Sequence, residues 1–119
     1  MIPTCIASDA RAAAAVNRRT LQFYVTLPNY RSYWKEAGYV EEMEAIEKAI
    51  EAGERDRIPA LVSDAFLADC TLFGDRDTVL AGIEAWYEAG VRTPIIVPSS
   101  TEGNQLDAFQ ELFELYGAA

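Results

Sequence analysis

The stretch from Phe73 to Ser99, FGDRDTVLAGIEAWYEAGVRTPIIVPS, constrains the fold more than any other part of the chain. Val79, Leu80, Ile83, Trp86 and Tyr87 recur at helical spacing and give a helix one apolar stripe. Asp75 is placed to cap that helix, and Asp77 puts negative charge in its first turn, where the helix dipole favours it. Gly90 falls where a left-handed residue ends a helix cheaply, because it has no Cβ. Ile95, Ile96 and Val97 follow as an apolar run between Pro94 and Pro98. A run without polar alternation suits a strand covered on both faces, as in a parallel sheet. The stretch therefore predicts a helix–strand unit of the α/β class.

The rest of the chain is mostly helical in pattern. Ile2–Ala7 reads as a strand with Pro3 near its start, where a missing N–H does least harm. Ser8 or Asp9 caps a long helix in which Ala12, Val16, Thr20, Phe23 and Leu27 share the inward face, with Asn17 grouped among exposed positions. Pro28 interrupts it, and a short helix over Asn29–Ala37 follows. Glu41–Ala52 is a third helix with Met43, Ile46 and Ile50 inward. Asp56 caps the next, with Pro59 in its first turn and a stripe of Ile58, Leu61, Val62, Ala65 and Phe66. Asn104 starts the last helix, whose Leu106, Phe109, Leu112, Phe113 and Tyr116 are expected to pack inward. At 119 residues this is expected to be a single domain, 1–119. Two buried parallel strands need neighbours on their open edges. Either the chain borrows strands from another copy, or it is a mostly helical bundle without these strands.

Composition removes several function classes. The net charge of -9 opposes a nucleic-acid surface, which needs clustered Lys and Arg. No apolar run is long enough to span a bilayer, and the N-terminus lacks a signal-peptide pattern. Without histidine, neither a zinc site nor a His-based triad is expected, and no metal site is assigned. Cys5 and Cys70 lack C-x-x-C spacing, which suits a reduced cytoplasmic protein with two packing cysteines.

Three segments together, IPTCIASDARAAAA, LQFYVTLPNYRSYWKEAGY and FGDRDTVLAGIEAWYEAGVRTPIIVPS, resemble the C-terminal part of the luciferase-like monooxygenases, most of all the branch that uses a deazaflavin. The resemblance implies a partial (β/α)₈ TIM barrel, with Ile2–Ala7 as strand seven, Ile95–Val97 as strand eight and Asn104–Tyr116 as the closing helix. It implies a flavin- or deazaflavin-dependent oxidoreductase, using FMN or the deazaflavin coenzyme F420. The family's main cofactor loops follow earlier strands that have no match here, so no catalytic residue is carried over. The missing strands imply a homo-oligomer or a second polypeptide, and the resemblance leaves open that this chain alone binds no cofactor. The alternatives are a non-catalytic homo-oligomer and a helical protein-interaction module.

In a barrel the carboxyl ends of the strands face the active site. Ser99, Ser100 and Thr101 are therefore candidate cofactor contacts, because their loop enters a helix N-terminus that can hold a phosphate or carboxylate. A plain cap and loop is the competing reading. Tyr30, Arg31 and Trp34, with Tyr24 and Tyr33, are candidates for a wall of a substrate pocket, and helix packing is the competing role. The acidic face Glu41–Glu51 reads as solvated surface, and Asp64 and Asp69 have no carboxylate partner for acid–base work.

Overall fold

The computed structural model describes residues 1–117. Three strands, β1 (Ile2–Ile6), β2 (Leu72–Gly74) and β3 (Ile96–Ser99), form one parallel sheet in the order β2-β1-β3. The helices are α1 (Ala10–Tyr24), α2 (Pro28–Glu36), α3 (Val40–Glu51), α4 (Ile58–Leu61, after a 3₁₀ turn at Arg55–Arg57), α5 (Asp64–Cys70), α6 (Arg76–Glu88) and α7 (Gln105–Leu115). The described chain is thus predominantly helical α/β. It divides into two compact units, Met1–Asn17 with Cys70–Ala119, and Arg18–Asp69.

In the sheet-bearing unit β1 is the centre. Thr4 lies opposite Leu72 on one side and Pro98 on the other. Ile2 N–H donates to the Ile95 carbonyl at 2.8 Å, and Ala7 N–H donates to the Gly74 carbonyl at 2.8 Å. The alternation of a parallel ladder then sends the donors of Ile2, Thr4 and Ile6 towards β3 and those of Cys5 and Ala7 towards β2. Pro3 falls on the β2 side, ahead of the first paired residue of that strand, so its missing donor breaks no rung. Ile2, Leu72, Val79, Ile83 and Leu115 form the buried cluster beneath α6 and α7, with Ile96, Trp86 and Leu112 packed against it. Each such side chain taken from water stabilises the unit by roughly 1.5–3 kcal/mol before the entropy of ordering it is counted.

Several expectations are corrected here. β2 replaces what reads in sequence as the lead-in to α6; three residues are too short to show a period. Ile95 lies outside the strand and is 57% exposed, and Val97 is 36% exposed, so β3 is an edge strand and not one covered on both faces. Tyr87 of the α6 stripe is 46% exposed. The inward face of α1 is Ala13, Asn17 and Leu21, one residue on from the expected set, and Phe23 is 63% exposed. Asn17 fixes that rotation. Its Nδ2 donates to the Leu72 carbonyl at 2.8 Å and to the Pro3 carbonyl at 3.5 Å, from a side chain with no exposure at all. The largest departure is α7, whose Leu106, Phe109, Phe113 and Tyr116 point outward while Ala108 and Leu115 are buried.

In the second unit, Pro28 opens α2 at its first turn, where no donor is required of it. Met43, Ile46 and Phe66 are fully buried, and Ile50 is only partly so, Ala49 taking the inward place. The single helix expected over 58–66 is two. Ser63 breaks it, its hydroxyl accepting the Phe66 N–H at 3.0 Å as a cap for α5, which leaves Ala65 exposed.

Candidate functional site

Parallel strands bring all their carboxyl ends to one edge of the sheet, and that edge is where ligands of open α/β sheets bind. Here it is lined by three turns: Ala7–Asp9 into α1, Gly74–Asp75 into α6, and Ser99–Asn104 into α7. Each turn spends its polar side chain on the helix it starts. Asp9 Oδ1 accepts the N–H groups of Arg11 and Ala12 at 3.0 and 3.1 Å. Asp75 Oδ1 accepts Thr78 N–H at 2.9 Å, and Asn104 Oδ1 accepts Asp107 N–H at 2.9 Å. The Thr78 hydroxyl and then its amide hold the Asp75 carboxyl below the usual carboxylate range. Two of the three helix N-termini therefore already hold an anion of their own.

The third turn carries the predicted cofactor residues. Ser100 is buried at 7% exposure; its hydroxyl donates to Glu111 Oε1 at 2.8 Å and accepts Glu102 N–H at 3.1 Å. Ser99 is half-buried and Thr101 is exposed. Burial pushes the Glu111 carboxyl up, opposed by the Ser100 hydrogen bond and reinforced by the charges of Asp107, Glu102 and Glu114. Glu111 Oε2 is buried without a hydrogen-bond partner. The turn thus presents carboxylates around its hydroxyls, and Ser100 is unavailable to a phosphate while Glu111 holds it. Ser99 and Thr101 remain as donors at the rim. Among the described residues no group of three or more His, Cys, Asp or Glu is arranged to hold a metal ion.

Tyr30, Arg31 and Trp34 come together on α2, in the second unit. Tyr30 lies 4.9 Å from Tyr24 and 5.6 Å from Trp34, ring centre to ring centre, and Trp34 meets Phe66 edge-on at 5.1 Å. Arg31 is 8% exposed, with Nη1 donating to the Val25 carbonyl at 2.9 Å and Nε to Glu47 Oε1 at 3.3 Å. Lys35 Nζ donates to the other Glu47 oxygen at 2.7 Å. Lys35 and then Arg31 hold the Glu47 carboxyl low. Glu47 is therefore a half-buried clasp between α2 and α3, not a member of a solvated acidic face. The Arg31 guanidinium is turned inward to protein oxygens, and Asp69 accepts the Tyr39 hydroxyl at 2.6 Å. Sequence reasoning missed Asn17, which is fully buried, and the half-buried Glu47 and Glu111, whose carboxylates take up Arg31 and Ser100.

A model of the family described as luciferase-like monooxygenase matches residues 1–93, from β1 through α6. The chain belongs to the luciferase-like monooxygenase family. The matched span holds β1, β2 and both aromatic and acidic clusters of the second unit; β3 and α7 lie beyond it. No curated protein and no solved structure matches the chain. No helix of the described residues is long and apolar enough to cross a membrane.

Proposed function

We propose that this luciferase-like chain serves flavin- or deazaflavin-dependent oxidoreduction as the end of a (β/α)₈ scaffold, and that its redox site is complete only in association with a second copy or a second polypeptide. Family members commonly bind flavin or F420, and the cofactor supplies the hydride or oxygen chemistry in such enzymes. The observation that carries the reading is the adjacency of β1 and β3, parallel and in register from Ile2–Ile96 to Cys5–Ser99, as consecutive barrel strands require. In this assignment Ser99 and Thr101 contact the cofactor phosphate at the carboxyl edge. In this reading the chain's own part is to bind and to orient.

Titration of the purified protein with FMN and with the deazaflavin, followed by ligand fluorescence, tests this. Saturable binding that Glu111→Gln tightens and Thr101→Asp weakens is the expected result, since each substitution changes the charge facing a phosphate at this turn. Absence of binding up to high micromolar overturns it. The non-catalytic association module would then be the better reading, favoured by the outward apolar stripe of α7.

A further inference from the structure

α7 carries two apolar stripes. Ala108, Leu112 and Leu115 face the sheet. On a second face Leu106 is 81% exposed, Phe109 43%, Phe113 59% and Tyr116 58%. At 3.6 residues per turn these four fall within an arc of about 80°. A surface helix normally has one such stripe, and a second marks a face that another element covers.

The position of this face limits what can cover it. Gln105 Nε2 donates to the Pro98 carbonyl at 3.2 Å, so the outer stripe, next to Gln105 on the helix, overhangs the free edge of β3. Ile96 belongs to the cluster under α6 and α7, so alternation along the strand turns Val97, and Ile95 with it, to the opposite face of the sheet. The two apolar patches thus straddle one edge. That edge is a poor template for another strand. The ladder that bonds Ile95, Val97 and Ser99 to β1 leaves only Ile96 and Pro98 facing outward. Pro98 has no N–H, and its carbonyl is taken by Gln105. The remaining edge of β1 is occupied by β2, which itself turns out only Phe73.

We propose that a second copy of this chain covers the face, α7 packing against α7 about a two-fold axis with no continuous strand pairing across the β3 edges. In the antiparallel arrangement Leu106 meets the partner's Tyr116, and Phe109 meets the partner's Phe113, so the stripe is complementary to itself, as an isologous contact requires. Area agrees with this choice. From the quoted exposures, the α7 stripe in two copies removes roughly 1,000 Å², and about 1,300 Å² with Ile95 and Val97, the lower part of the range for specific stable interfaces. Asp107, Gln110 and Glu114 flank the stripe, so like charges meet at the rim and added salt tightens the pair by screening them. The inference gives a surface to the association in the proposed function and rests on that reading only for its purpose.

Sedimentation velocity on the protein without cofactor, over a dilution series, reads it directly. A dimer that dissociates on dilution is expected, with Leu106→Glu and Phe113→Glu each weakening it by more than about thirtyfold, the scale of an interface hot spot. Both side chains are exposed, so circular dichroism should be unchanged. Phe23→Ser, at an equally exposed aromatic in the other unit, should leave the dimer intact. A monomer at all concentrations, an open series of larger species, or a dimer indifferent to both α7 substitutions overturns the proposal. Flavin titration is a separate readout, so a failed interface and a failed cofactor reading are told apart.

Discussion

Gly82 sits in the interior of α6, where glycine is the wrong residue by propensity. Replacing it with alanine in an exposed helix would stabilise by about 1 kcal/mol, because alanine has less backbone entropy to lose. Here the sign reverses. A Cβ built on Gly82 comes within 2.4 Å of Leu72 Cδ2. Carbon atoms in contact prefer about 3.5–4.0 Å, so Leu72 must withdraw by more than an ångström. Leu72 is 7% exposed and locked among Ile2, Val79, Ile83 and Leu115, at the start of the three-residue β2. Overpacking of this kind costs about 1–3 kcal/mol. The net prediction for Gly82→Ala is a loss of roughly 1 kcal/mol, read by urea denaturation at constant m. Leu72→Ala alone should cost about 2–5 kcal/mol through its cavity, and the double variant should be more stable than the sum predicts, because the new methyl fills space that Leu72 vacates. Gly82→Ala more stable than the parent, or additive with Leu72→Ala, would refute the close approach of α6 to β2.

Three other predictions follow from buried polar groups. Asn17→Leu removes the amide that ties α1 to the carbonyls of Leu72 and Pro3; it should cost about 1–3 kcal/mol and raise amide hydrogen exchange at Cys5 and Gly74, which pair β1 with β2. Glu111 has its folded pKa raised above the ordinary glutamate value of 4.5, so the folded state holds the proton more tightly. Stability should therefore fall as pH rises from 4.5 through that folded pKa, and Glu111→Gln should flatten this slope in pH-dependent melting. Glu47 is the opposite case: its folded pKa lies below 4.5, so its contribution is present above 4.5 and lost as pH falls through the folded value. Glu47→Gln should then lower stability at neutral pH and have least effect in acid, which melting of the same pH series would show.

The parts of the fold that were legible in the sequence are those whose signal is local. Asp75 and Asn104 cap α6 and α7, as their side-chain acceptors ahead of periodic runs suggest, and Gly90 follows α6 with φ of 100°. The strand at Ile2 and the parallel pairing implied by an apolar β3 are likewise local readings. What was not legible is set by tertiary partners. β2 is three residues long, and its identity as a strand exists only because β1 has a free edge at Thr4–Ile6. The rotation of α1 is decided by an asparagine that periodicity counts as polar and outward, yet whose amide finds two strand carbonyls. Alanine on nearly every face of 12–15 left the hydrophobic pattern unable to choose between rotations one residue apart.

The same distinction governs the site. Capping residues and hydroxyls at a strand end can be recognised one turn at a time, which is why Ser99–Thr101 stand out in the sequence. Whether a hydroxyl is free for a ligand depends on a residue elsewhere, and Glu111, eleven positions after Ser100, takes it. Arg31 illustrates the point with opposite sign: an arginine among aromatics suggests an anion from outside, but Glu47, sixteen residues on, supplies one from α3. In α7 an apolar stripe that wraps two faces of the helix reads in sequence as one core stripe, because sequence counts apolar residues without saying how many surfaces they serve. With Ala108 and Leu115 inward and Leu106 and Phe113 outward, the apolar residues of α7 divide between two faces of one helix, and only the face turned to the sheet is covered within the described residues.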